Sequence, residues 1–167
     1  MRVMVGIDDS DDSFYALQWV LDNLFSDLSA SPVADERAGL LTLVHLQQPF
    51  QPYGFPGARP EVAALYPTAT VLDSVKKSQE QISTGILSLH QNINLMQIKA
   101  ETLILEGNPK VMICEISEEM NVGLLIIGSR GLGKIKRALL GSVSDYCAHH
   151  AKCPTLIVKP PKEAINK

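Results

Sequence analysis

Short apolar runs along this chain alternate with segments whose apolar residues recur every three or four positions. Residues 2–7 (RVMVGI) form a near-continuous apolar run rich in valine and isoleucine, the pattern of a strand buried on both faces. Four acids and Ser13 follow, then Phe14, Leu17, Leu21, Leu24 and Leu28, with Ala16 and Val20 widening the stripe. That spacing predicts an amphipathic helix with Asp and Ser at its start. A polar break over residues 29–37, with Pro32, leads to a second strand at residues 40–46 (LLTLVHL). Residues 47–67 hold five prolines, Gly54 and Gly57 with no usable period, and are expected to be a loop.

A long helix is predicted from Thr68 to about His90, carrying Val71, Leu72, Val75, Ile82, Ile86, Leu87 and Leu89. A third strand over residues 101–105 closes on Glu106, Gly107, Asn108 and Pro109. Asn108 before Pro109 suits an N-cap followed by proline at the first helical position, and that helix runs to about Asn121. A fourth buried strand follows at residues 122–127 (VGLLII), then a last helix ending near Ala151 and a fifth strand at residues 154–158 (PTLIV). The order is β-α-β-α-β-α-β-α-β. Alternation with buried strands predicts an α/β fold: a doubly wound, five-stranded parallel sheet in three layers, with right-handed crossovers.

Length and charge narrow the picture. At 167 residues the expectation is one domain, 1–167, able to bury a core without staples. Fifteen basic and 18 acidic residues give a net charge of −3, which argues against a broad surface for nucleic acid. The apolar fraction of 46% is ordinary for a globular chain and argues against disorder. No apolar stretch approaches the roughly 20 residues of a membrane span, and the start is too acidic behind its apolar run for a secretory leader. Three cysteines, Cys114, Cys147 and Cys153, make neither a disulfide framework nor a zinc template. A reducing, cytoplasmic location is expected.

In such sheets ligands bind beyond the carboxyl ends of the strands, where the strand order reverses. Glycine and serine concentrate after the fourth strand. Gly128-Ser129-Arg130-Gly131 follows it directly, and after nine intervening residues come Gly141-Ser142. The two first glycines let the backbone approach an anion. Ser142-Val143-Ser144-Asp145 reads as a Ser-x-x-Asp cap opening the last helix, whose free amides and partial positive charge suit a phosphate. Ser129, Ser142 and Ser144 bring hydroxyl donors. Arg130, Lys134, Lys136 and Arg137 lie between Gly128 and Gly141 with no acid among them, so an acidic chain gathers positive charge at one place. Taken singly, each glycine also reads as a plain turn residue. Neither a Walker A sequence nor the dinucleotide Gly-x-Gly-x-x-Gly fingerprint is present.

The spacing Gly128-x2-Gly131-x9-Gly141-Ser142 resembles the Gly-2x-Gly-9x-Gly-Ser/Thr signature of ATP-binding universal stress proteins. The opening VMVGIDDS, Ala16-Leu17-x-Trp19, Val44-His45, Glu106-Gly107-Asn108-Pro109 and the last strand from Cys153-Pro154 resemble that family over nearly the whole chain, and the proline-rich insert resembles its plant branch. The resemblance implies a Rossmann-like fold of the adenine nucleotide α-hydrolase type with strand order 3-2-1-4-5, and a bound ATP or AMP. It implies Asp8 facing the adenosine, the Val44 backbone at the adenine edge and Gly107 on the ribose side. It also implies Gly128, Ser129, Arg130, Gly131, Gly141, Ser142, Val143 and Ser144 around the phosphates. Dimerisation through the last strand, Thr155–Val158, is implied too, and the 47–67 loop is placed where it could lid the adenine.

Other chemistries find less support in the sequence. Asp8-Asp9, Ser129 and Lys159 resemble a phospho-accepting receiver, but Glu106 and Gly107 stand where its acceptor aspartate is needed. Asp8 and Asp9 could hold a magnesium ion beside the phosphates, although solvated turn acids are the plainer reading of Asp9. No Glu or Gln can be placed from sequence to position a hydrolytic water, and Gly-x-Ser-x-Gly is absent. His149 and His150 read as helix-end residues complementing the dipole, His45 as a packed strand end, Trp19 and Cys147 as core, and Cys153 as a strand-edge thiol. The resulting expectation is an adenylate-binding, dimeric stress or signalling module; the alternative is a slow ATP hydrolase or a holdase-like chaperone.

Overall fold

The computed structural model describes residues 1–26, 40–47, 69–96, 98–130 and 140–161. Its elements run β1 (Arg2–Gly6), α1 (Asp11–Leu24), β2 (Leu40–Gln47), α2 (Ala69–Leu95), β3 (Ala100–Glu106), α3 (Pro109–Glu119), β4 (Leu124–Gly128), α4 (Ser142–His150) and β5 (Thr155–Val158). All four strand pairings are parallel, and the sheet order is β3-β2-β1-β4-β5. The alternation of elements and the order implied by the resemblance are both borne out.

Each face of the sheet carries its own apolar cluster. Val3, Val5, Leu41, Leu43 and Ile126 point to the side covered by α1 and α2, where Ala16, Leu17, Val20, Ile86 and Ile93 meet them. Met4, Val44, Leu125 and Ile127 point the other way, to Ile113 and Ile116 of α3 and Cys147 of α4. Side chains alternate across a strand, so a run such as VMV must be apolar at every position to serve two layers. Met4, Val5, Leu41, Leu43, Leu125 and Ile126 are accordingly lost to solvent almost completely.

The helices differ from the sequence reading in detail. The buried stripe of α1 is Ser13, Ala16, Leu17 and Val20, while Phe14 and Leu24 are each 39% exposed. The inward row is i, i+3, i+4, i+7 from Ser13, and Phe14 lies one step of the helix off it. A serine enters this row because its hydroxyl is satisfied by the Asp8 and Ser10 carbonyls, both at 2.9 Å. Helix α2 continues to Leu95, past the predicted end near His90, and Ile93 packs in the core. Helix α3 starts as expected: Pro109 is in its first turn and the Asn108 side chain accepts the Lys110 N–H at 3.1 Å. Strand β4 begins two residues late, since Val122 N–H is held by the Ser117 carbonyl of α3 at 2.9 Å. The predicted loop after β2 lies outside the described residues from residue 48 onward.

Candidate functional site

Strand β1 pairs with β2 on one side and β4 on the other, so the order reverses at its carboxyl end. A cavity of about 1000 Å³ opens there, between the ends of β1, β2 and β4 and the first turn of α4. Sheets wound in this way leave a crevice at this point, because the chains leaving neighbouring strands depart to opposite faces.

One wall is the start of α4. The sequence reading made Ser142 its cap, but the N-cap is Gly141 and no side chain caps the helix. Gly141 N–H is bound to the Ser129 carbonyl at 2.8 Å, and the Ser144 hydroxyl turns back to the Gly141 and Ser129 carbonyls at 2.9 and 3.1 Å. These bonds fix an extended Gly141 (φ −66°, ψ 156°) and place Ser142 already inside the helix. The first amides of a helix have no partner within it. With no side-chain cap either, those of Ser142 and Val143 are left to whatever enters the cavity.

The opposite wall is the turn from β1 into α1. Asp8 accepts the Ser10 N–H at 3.1 Å and the Ser10 hydroxyl, and Ser10 in turn caps α1 by accepting Ser13 N–H. The Ser10 hydroxyl also reaches the Arg130 carbonyl at 3.4 Å, tying this turn to the loop after β4. Asp8, Asp9 and Arg130 all border the cavity, as does Asp145 on α4. Between the walls the floor is apolar, made by Val44, Leu46, Ile113 and Ile127, with Ile82 of α2 at the side.

The structure thus brings Asp8, Val44, Gly128, Arg130, Gly141, Ser142, Val143 and Ser144 to one cavity. Gly131 lies outside the described residues, as do Lys134, Lys136 and Arg137. Three of the expected positions stand differently in the fold. Ser129 is 4% exposed and its hydroxyl is donated to Asp12 Oδ2 at 2.7 Å, so it braces the loop from behind rather than lining the cavity. Gly107 is also missing from the described walls. It ends β3 with φ +154°, donates its N–H to the Gln47 carbonyl at 2.9 Å, and faces Met112, whose side chain a Cβ would overlap. Its role is the corner beside β2.

Val44 is the third. It stands opposite Gly6, and its carbonyl accepts the Ile7 N–H at 2.9 Å, so its peptide groups face β1 within the ladder. In a parallel pair these groups alternate sides along the strand. Two residues on, Leu46 again turns its peptide toward β1, but β1 has ended at Gly6. Leu46, not Val44, therefore presents backbone groups at the cavity's floor.

The sequence reading did not single out Gln79, Ile82 or Ile113, which also border the cavity. Their helical periodicity marks them as apolar or mixed helix faces and carries no sign of which end meets the site. His45 is a packed strand end, as expected: it is 6% exposed, and its Nδ1 lies 2.9 Å from the Ile7 carbonyl. A carbonyl only accepts, so Nδ1 carries the proton. Among the described residues no group of three His, Cys, Asp or Glu side chains is placed to hold a metal ion, and no helix is long and apolar enough to cross a membrane.

Comparison with known proteins agrees with this arrangement. The universal stress protein family model matches residues 1–159. The Arabidopsis thaliana universal stress protein PHOS34 is 27% identical over 177 residues, covering 97% of this chain and 63% of the relative. A universal stress protein A-like protein from the same plant is 28% identical over 100 residues, with 59% and 57% coverage. The chain thus matches roughly three fifths of the length of these relatives. Among solved structures, an Arabidopsis thaliana universal stress family protein with AMP bound superposes with a TM-score of 0.63 at 20% identity, covering 98% of this chain and 93% of that one. On the match to its family model and the plant relatives that accompany it, this chain belongs to the universal stress protein family.

Proposed function

We propose that this protein binds an adenine nucleotide, ATP or AMP, in the cavity at the end of β1, and that it acts as a dimeric regulatory module in a stress response. The observation that carries the reading is the start of α4: a helix N-terminus with no side-chain cap, opening onto a cavity at the reversal of the sheet. Such a terminus concentrates unpaired N–H donors and about half a positive charge, which is what a phosphate needs. The AMP-bound plant structure, and a universal stress protein in complex with cAMP (TM-score 0.53, 21% identity), support the same ligand class.

In this reading the amides of Ser142, Val143 and Ser144 and the backbone of Gly128, Arg130, Gly131 and Gly141 hold the phosphates, with the Arg130 guanidinium adding charge. Ser129 keeps this loop in place through Asp12. The purine lies on Leu46, Ile113 and Ile127, and the Leu46 peptide pairs with its edge, which favours adenine over guanine. Asp8 faces the ribose. The carboxylates of Asp8, Asp9 and Asp145 have the hard oxygen chemistry of a magnesium ligand, so a magnesium ion enters with the phosphates of ATP rather than sitting in a protein cage. The protein works as a single domain in the cytoplasm, where thiols are kept reduced in the absence of an oxidant, and a dimer forms along β5.

Isothermal titration calorimetry with ATP, AMP and GTP tests the reading. Wild type is expected to take up both adenylates and to discriminate against GTP. Replacing Gly131 and Gly141 together by valine is expected to weaken binding at least tenfold, about 1.4 kcal/mol, because branched side chains keep the phosphates off the backbone. Unchanged adenylate affinity in a folded double variant overturns the site. Phosphate release above buffer, measured on the wild type, would convert the binder into a hydrolase.

A further inference from the structure

A second cluster lies on the face of the sheet covered by α3 and α4, in the apolar layer below the cavity. Cys114, midway along α3, and Cys147, in the second half of α4, bring their sulfurs to 3.8 Å. Cys153, in the turn before β5, packs against the same cluster. The two sulfurs in contact come from different helices and stand 33 residues apart in sequence, which is why the spacing of the cysteines gives no hint of the pair. We propose that Cys114 and Cys147 form a peroxide-driven, reversible disulfide that staples α3 to α4.

Access and reach assign the two roles. Cys147 is fully buried, whereas Cys114 is half-buried, so Cys114 is the thiol that meets the oxidant. Hydrogen peroxide transfers one oxygen to it: the Cys114 thiol becomes a sulfenic acid and one water leaves. The Cys147 sulfur then attacks the Cys114 sulfur, the S–S bond forms, and the hydroxyl departs with the Cys147 proton as a second water. The two thiols together give up two electrons and two protons, and peroxide accepts them. A disulfide needs about 2.05 Å between sulfurs, so the pair closes a further gap from the 3.8 Å at which it stands. Burial pushes both thiols up, most strongly Cys147, so little thiolate is present at neutral pH and the step is slow. The pair therefore registers sustained rather than transient oxidation.

The position gives the staple its consequence. Ile113 adjoins Cys114 on α3 and belongs to the cavity's floor, and α4 supplies one of its walls through Ser142 to Asp145. Linking the two helices fixes the distance between that floor and that wall.

Thiol mapping tests the pair without reference to any nucleotide. The full chain is treated with hydrogen peroxide, unfolded in the presence of iodoacetamide, and digested for mass spectrometry. The expected product is a single chain two hydrogens lighter once the alkyl group on Cys153 is subtracted, containing a linked α3–α4 peptide pair that dithiothreitol separates. Cys153→Ser is expected to give the same crosslink, and Cys114→Ser, at a half-buried position that keeps the fold, is expected to give none. A disulfide that includes Cys153, a bond between chains, or over-oxidation of Cys114 without a link overturns the proposal. So do thiols that stay free after prolonged exposure of the folded chain to a large excess of peroxide.

Discussion

Four bonds meet at Ser129, and none of them points to the cavity. Its N–H goes to the Val158 carbonyl at 2.8 Å, its carbonyl accepts from Gly141 N–H and the Ser144 hydroxyl, and its own hydroxyl goes to Asp12. One buried residue thus ties the end of β4 to β5, α4 and α1, so this serine of the glycine-rich signature holds the loop. Gly128 beside it has an equally structural reason. A Cβ there would sit 2.8 Å from the backbone carbon and oxygen of Asp12 and 2.9 Å from Ser13 N. These are backbone atoms at the start of α1, and they cannot swing aside. Gly128→Ala is expected to push α1 off the sheet and cost about 1–3 kcal/mol. Urea denaturation should show a lower midpoint with an unchanged slope; a midpoint equal to wild type would mean that α1 shifts freely. The glycines of the signature were legible in the sequence as sites of close backbone approach. What was not legible is that the approach at Gly128 is to a helix of the same chain.

At the scale of elements, the starts of α1 and α4 face each other across the cavity and are built differently. Helix α1 is closed by Ser10, whose hydroxyl oxygen accepts Ser13 N–H at 3.3 Å, with Asp11 and Asp12 in the first turn. Helix α4 begins at a bare glycine. A capped terminus has its donors satisfied, and an uncapped one keeps them for a ligand. Ser10→Ala is expected to lower stability by about 1 kcal/mol and to remove the bond to the Arg130 carbonyl that links this turn to the loop after β4. A thermal shift of the apo protein checks the first effect. Hydrogen exchange at Arg130 and its described neighbours checks the second, and unchanged protection there would separate the cap from the loop. The element order was readable because buried parallel strands and amphipathic helices have distinct periods. Caps were readable only where a side chain makes them: Asn108 before Pro109 announced α3 correctly, whereas at α4 the Ser-x-x-Asp pattern pointed one residue late, because a backbone bond from Gly141 to Ser129 decides where that helix begins. The peptide group that faces the cavity at the end of β2 was illegible for a related reason. Which peptide faces the open end depends on where the neighbouring strand stops, and register is a property of two strands rather than of one.

For the whole molecule, the sheet order leaves two edges, β3 and β5, and the proposed dimer uses the second. The parity of the ladder says which groups β5 has to offer. Leu125 N–H binds the Pro154 carbonyl and Ser129 N–H binds the Val158 carbonyl, so the even-numbered residues of this segment face β4. Peptide groups alternate sides along a parallel strand, so Thr155 and Ile157 turn theirs to the open edge. Their side chains are only half-buried in the single chain, which leaves room for a second copy to cover them. An unpaired row of this kind is a template for another strand. Ile157→Pro removes one outward N–H while leaving the bonds to β4 in place, a substitution that edge strands tolerate. If two copies join along β5, light scattering should report a wild-type dimer and an Ile157→Pro monomer, with the circular dichroism of the two alike. The cavity lies at the other side of β4, so adenylate affinity per chain should be retained in the monomeric variant. A variant that remains a dimer would move the interface away from β5, and one that loses both dimer and ligand would show that the loop after β4, which reaches β5 through Ser129 and Val158, depends on the partner for its shape.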